Sequence, residues 1–181
     1  MDQLSYAPPG SSRRGHLPYV EYDRREFEEV VDAVELAVFR HMARHDVRGY
    51  GDHLLSRLHA ALPKDGTADL PLLEEIADLH RRMAPYDWAS RVLLSDTYVL
   101  IGLELWRADR RLEAVRALER AVEVDQHFAA SDPGRYRAQL INHLYMLAAR
   151  QKSAGLRSEA RASRREARRL RWGPGRRTAV P

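Results

Sequence analysis

From Arg24 onward the apolar residues of this chain recur at steps of three and four, and no segment bounded by turn residues sustains the alternation of a strand. That property confines the chain to an all-α fold. Phe27, Val30, Val31, Val34, Val38 and Met42 line one face of a first helix, which Gly49 and Gly51 are expected to end. Leu54, Leu55, Leu58 and Leu62 mark a second helix, stopped by Pro63 and the Lys-Asp-Gly turn at 64–66. Asp69 caps a third, with Pro71 in its first turn and Leu72, Leu73, Ile76, Leu79 and Met83 as its buried stripe. Pro85 ends that helix and Asp87 caps the next.

Beyond this point the helices come in pairs. The first pair is a helix over 88–106, with Ser95 a candidate break, and a helix over 112–124, joined by the Ala-Asp-Arg-Arg turn at 108–111. Asp132 and Pro133 open another helix that carries Leu140, Ile141, Leu144, Leu147 and Ala148 on one side and stops at Gly155. The last helix spans 156–172 and is stopped by Gly173, Pro174 and Gly175. Residues 1–18, with Pro8, Pro9, Gly10, Ser11 and Ser12, read as a disordered arm. The expected organisation is this arm, an N-terminal helical region (19–86), paired helices (87–174) and a basic tail (175–181).

Hydrophobic residues are 44% of the 181 and charged residues 31%, enough apolar content for one sizeable core. The N-terminal residues contain no apolar signal-peptide core, and no apolar run is long enough for a membrane span. Cysteine is absent, which removes disulfides, thiolate metal sites and a cysteine nucleophile. These features lead to the expectation of a cytoplasmic protein that does not engage membranes.

The segment 95–128, SDTYVLIGLELWRADRRLEAVRALERAVEVDQHF, resembles a tetratricopeptide repeat over its whole 34 residues. The early aromatic of that repeat falls on Tyr98, its Leu-Gly pair on Ile101 and Gly102, and its next bulky residue on Leu105. Its later packing places fall on Ala114, Leu118 and Ala121. Gly102, Ala114 and Ala121 are small where two helices would cross closely. Asp109 stands where the turn usually has glycine, and Gln126 where proline usually closes the unit. A second copy fits 141–174, aligned on Gly155, with Leu144, Leu147, Ala148, Ala160 and Ala167 in the packing places and Pro174 closing it. The frames are offset by 46 residues, which makes 129–140 an insertion. Residues 24–86 show no clear register and are open to two readings, degenerate repeats or a separate helical cap. The resemblance implies antiparallel helical hairpins stacked as a short right-handed solenoid. Such folds need about three units, so the N-terminal helices or a second chain are expected to supply a third layer. Trp88, Trp106 and Trp172 are candidates for self-association into a homodimer.

The resemblance also implies a non-catalytic adaptor that holds a protein or peptide in a groove lined by the first helix of each pair. On this frame Val99, Leu103, Trp106 and Arg107 face the groove from one unit, and Asn142, Tyr145 and Lys152 from the other. The carboxylate-clamp subset of the family has Lys and Asn where Val99 and Leu103 stand, so capture of a chaperone's terminal carboxylate is not implied. An apolar groove with an aromatic suits an amphipathic helix or an extended apolar segment.

The formal charge of +4 is unevenly placed. Residues 150–181 hold eleven basic groups against Glu159 and Glu166, a net of +9, and the remaining chain carries −5. Arg157, Arg161, Arg164, Arg165, Arg168 and Arg169 recur at helical steps. They make a candidate anion-binding face, for nucleic acid or an acidic surface, or the solvated outer face of a terminal unit. The final helix and its Trp-Gly-Pro-Gly ending are similar to helical-repeat activator domains of bacterial transcription regulators, and a nucleic-acid-associated role is the alternative. A second alternative is a small helical metalloenzyme. His41 and His45 have an i, i+4 ligand spacing, with His59 and His80 near other apolar stripes. Met42 stands where a zincin signature needs Glu, so no metal or cofactor is assigned. Glu28/Glu29 and Glu74/Glu75 are adjacent pairs that diverge by about 100° on a helix and form no acid–base couple. Glycine-rich phosphate loops and the nucleophile-elbow motif are absent.

Overall fold

The computed structural model describes residues 24–63 and 69–173, with side chains from residue 28 onward. Among the described residues there are seven helices and no strand: α1 (Arg24–His45), α2 (Val47–Ala61), α3 (Leu70–Met83), α4 (Trp88–Arg107), α5 (Arg111–Ser131), α6 (Pro133–Ser153) and α7 (Arg157–Trp172). The expected arm at 1–18, the turn at 64–66, Pro174 and the tail at 175–181 lie outside them.

The chain divides between Glu35 and Leu36, inside α1, into two units. In the described part of the first, Val30, Val31 and Val34 are exposed. The second unit holds the remainder, and within it Val38 is exposed too, so these valines are surface and not core.

In the second unit each helix from α2 to α7 packs on the next in sequence. Ala43, Leu54, Leu55, Leu58, Ile76, Leu79 and Met83 bury one cluster. Leu73 and Ala77 of α3 join Leu94, Ile101, Leu105, Ala114 and Ala117 in a second. Val99, Val115, Leu118, Val122, Leu140, Leu144 and Leu147 form the third, closed by Ala167 of α7. The α2–α3 hairpin is thus joined to the paired helices through Leu73 and Ala77 of α3. Each fully buried leucine, such as Leu58, Leu118 or Leu144, contributes about 1.5–3 kcal/mol of transfer free energy.

Asp69, Asp87 and Asp132 cap α3, α4 and α6 as the sequence predicts, accepting from Leu72 N, from Ala89 N and Ser90 N, and from Arg135 N. Three boundaries differ from expectation. Gly49 and Gly51 do not end a helix. Asp46 caps α2 by accepting from Gly49 N at 2.9 Å, and both glycines lie inside it. A Cβ on Gly51 would stand 2.6 Å from Met83 Sδ, so close packing on α3 accounts for the glycine. Ser95 does not break α4: it is buried, and its hydroxyl donates to Val92 O without interrupting the helix. Finally, α5 runs on to Ser131 instead of stopping near Val124. Gln126, unlike the proline usual there, leaves the backbone ladder intact until Asp132 turns the chain.

The two C-terminal hairpins turn in the same way, 46 residues apart. Arg110 N donates to Leu105 O, and Leu156 N to Gln151 O. Asp109 N donates to Trp106 O, and Gly155 N to Lys152 O. Asp109 and Gly155 both hold left-handed backbone, at φ 58° and 84°. This is the turn that closes a helix with a glycine-type residue just past its end. Behind it, Gly102 lets α4 approach α5: a Cβ there would meet Leu118 Cγ at 3.0 Å and Ala114 O at 3.2 Å. Ala148, Ala160 and Ala167 are buried at the corresponding places of the second hairpin.

Candidate interaction surfaces

Helices α4 and α6 lie side by side. Gln139 Nε2 donates to Asp96 Oδ1 at 3.0 Å and to Ser95 Oγ at 2.9 Å. Further along, the Arg150 guanidinium lies 4.7 Å from the centre of the Trp106 ring. The partners are 43 to 44 residues apart in each case, so the two helices run in the same direction and hold one register.

This arrangement brings six of the seven expected groove residues to the surface of α4 and α6. Leu103, Trp106 and Tyr145 are half-buried, and Arg107, Asn142 and Lys152 are exposed. Val99 is the exception. It is 7% exposed and packs in the cluster of Val115, Leu118, Leu140 and Leu144, because α6 and α5 close over it. It packs there and not on the N-terminal helices, and it belongs to the core instead of the groove. Two cations lie over the Trp106 ring, the Arg111 guanidinium at 5.7 Å and that of Arg150 at 4.7 Å from its centre.

Beneath this surface sits a buried charged pair, His143 and Asp125, joined by the half-exposed Asp96, which the residue pattern did not single out. His143 Nδ1 donates to Asp125 Oδ2 at 2.7 Å, and its Nε2 faces Asp96 Oδ1 at 3.4 Å. Burial by itself would lower the pKa of His143. The hydrogen bonds to Asp125 and Asp96, with their charges, outweigh it and push the imidazole up to about 9. His143 is therefore a cation at neutral pH, and it ties α6 to α4 and α5. The available signal was register: Asp125 continues the buried stripe of Leu118, Ala121 and Val122, where an apolar residue is the default.

The extra turns of α5 create a cleft of about 550 Å3 between α3, α4 and α5, lined by Ala84, Leu94, Val124 and Phe128 with Arg81 and Arg91 at its edge. The Arg91 side chain is already committed, its Nε donating to Ala84 O at 2.7 Å and its guanidinium 5.4 Å from the Phe128 ring. Trp88 and Trp172 are exposed, each with an arginine over its ring.

The six arginines of the candidate anion face, Arg157, Arg161, Arg164, Arg165, Arg168 and Arg169, are all exposed on α7. The rings of His41 and His45 lie 5.0 Å apart at exposed positions. Among the described residues no three His, Asp or Glu side chains converge on a point that could hold a metal ion. His80 is buried, with Nδ1 3.3 Å from Ser90 Oγ. Burial, reinforced by the nearby His59, lowers its pKa to about 4 against the opposing pull of Asp87, so it is neutral at pH 7. Of the carboxylate pairs, Glu75 is held by Arg40, whose Nε and Nη2 donate at 2.7 and 2.6 Å. No described helix is long and apolar enough to cross a membrane. Comparisons of the chain with protein-family models, with curated proteins and with solved structures gave no match.

Proposed function

We propose that this chain is a non-catalytic, tetratricopeptide-like interaction module that holds a protein segment along the shared surface of α4 and α6. The observation that carries this reading is Trp106, a half-buried aromatic flanked by Arg111 and Arg150 beside Leu103. Aromatic side chains with cationic borders are the usual anchors of protein interfaces. The in-register α4 and α6, and turns repeated at a 46-residue interval, support a stacked, solenoid-type arrangement of the two hairpins. Leu103 and Tyr145 extend the apolar strip, while Arg107, Asn142 and Lys152 supply a polar rim. An amphipathic helix or extended apolar segment matches that chemistry. The test is affinity purification from the native host with mass spectrometry, comparing the unaltered chain with Trp106→Ala and Leu103→Glu. A partner lost on both changes, with helicity retained, supports the reading. A partner set unaffected by either refutes it.

A further inference from the structure

Helix α7 carries seven arginines and two glutamates, and the two signs are segregated around it. At about 100° per residue, Arg157, Arg161, Arg164, Arg168 and Arg171 fall within an arc of about 80°. Glu159 and Glu166 lie on the opposite side, and Glu166 is engaged by Gln126 Nε2 at 2.9 Å. Ala160, Ser163 and Ala167 form the buried stripe between them. All five arginines of the arc are exposed, and none has a hydrogen bond or ion pair with a described residue. Elsewhere among the described residues the arginines are mixed: Arg40, Arg81, Arg110 and Arg111 each meet a carboxylate, whereas Arg44, Arg116 and Arg120 do not, so what sets the arc apart is its single sign over five aligned positions. Where α6 turns into α7, Lys152, Arg157, Arg161 and Arg164 surround a hollow of about 170 Å3 that no carboxylate lines.

Solubility does not require this arrangement. The exposed side of α5 achieves it with mixed signs, Arg111, Glu113, Arg116, Arg120 and Glu123. A single-sign row about 21 Å long, fixed on an anchored helix, is instead a field that favours a line of negative charge. We propose that this row binds the backbone phosphates of a nucleic acid. A membrane surface fits less well, because Ala160, Ala167 and Leu170 of α7 are used up in packing and a single exposed aromatic, Trp172 at the helix end, is all that remains to insert. An acidic protein face fits less well too: the arc has no apolar anchor within it, whereas nucleic-acid contacts are dominated by phosphate.

The experiment measures anisotropy of the full chain with a labelled mixed-sequence DNA duplex of about 20 base pairs, and with single-stranded RNA of the same length, across a salt series. Five phosphate contacts give a slope of log affinity on log salt of about −4.5 on the duplex, or about 500-fold weaker binding at 200 than at 50 mM salt. The triple change Arg161→Gln, Arg164→Gln, Arg168→Gln reduces that slope to about −1.8. Arg116→Gln with Arg120→Gln on α5 leaves it unchanged. All these positions are exposed, and far-UV circular dichroism checks that the helices persist. Which of the two probes binds more tightly identifies the nucleic acid. The proposal is overturned if neither probe binds, if the triple change leaves the slope intact, or if polyglutamate displaces the probe as well as unlabelled nucleic acid does at equal charge.

Discussion

His143 donates through Nδ1 to Asp125 Oδ2 at 2.7 Å, a contact that fixes α6 on α5 at a depth where both side chains are almost fully buried. Its folded pKa of about 9 stands above the usual histidine value of 6.5, so the folded state holds the proton more tightly than the unfolded chain does. The resulting stabilisation is complete below pH 6.5 and is lost as pH rises through 9. At roughly 1.4 kcal/mol per unit it amounts to about 3 kcal/mol. Urea unfolding between pH 6.5 and 9.5 is expected to show a falling midpoint, and His143→Gln is expected to flatten that limb.

His80 has the opposite linkage. Its folded pKa of about 4 lies below 6.5, so the unfolded chain binds the proton more readily. The stability this preserves is present above pH 6.5 and is lost as pH falls toward 4, again about 3 kcal/mol. The two histidines together predict a stability maximum near pH 6.5. His80→Phe is expected to weaken the acid limb while leaving the alkaline one, measured by the same urea titrations.

The paired turns give a prediction of opposite signs. Asp109 holds φ 58° with a side chain, and Gly155 holds φ 84° without one. Replacing Asp109 by Gly relieves left-handed strain and is expected to stabilise by up to about 1 kcal/mol. Replacing Gly155 by Ala is expected to destabilise by about 1 kcal/mol. Thermal melts of the two variants check this.

Gly102 tests the crossing of α4 and α5. Its nearest neighbours include a backbone oxygen, Ala114 O, which cannot move aside as a side chain can. Gly102→Val is expected to cost about 1–3 kcal/mol through overpacking. An unchanged unfolding midpoint would mean that the helices do not approach as described.

Much of this architecture is legible in the residues because helix ends are local chemistry. Asp69, Asp87 and Asp132 each accept from a backbone amide a few positions on, and a short window contains the whole signal. Gly51 misleads because what decides its place is Met83 on another helix. The end of α5 misleads because a missing proline is a weak cue, and the true stop lies at the next cap. Val99 looks like a groove residue until α6 is seen to cover it. The His143–Asp125 pair spans 18 residues and two helices, and only the polar residue in a buried register hints at it. The valines of α1 show the reverse case, a helical stripe that helix formation alone does not bury.

The most direct test of the account compares partner capture from the native host by the unaltered chain, by Trp106→Ala, by Leu103→Glu and by the α7 triple arginine change. One protein partner is expected to be lost with Trp106→Ala and with Leu103→Glu and retained by the arginine variant, all three proteins remaining helical. Capture that survives both α4 changes and disappears with the arginines would contradict it.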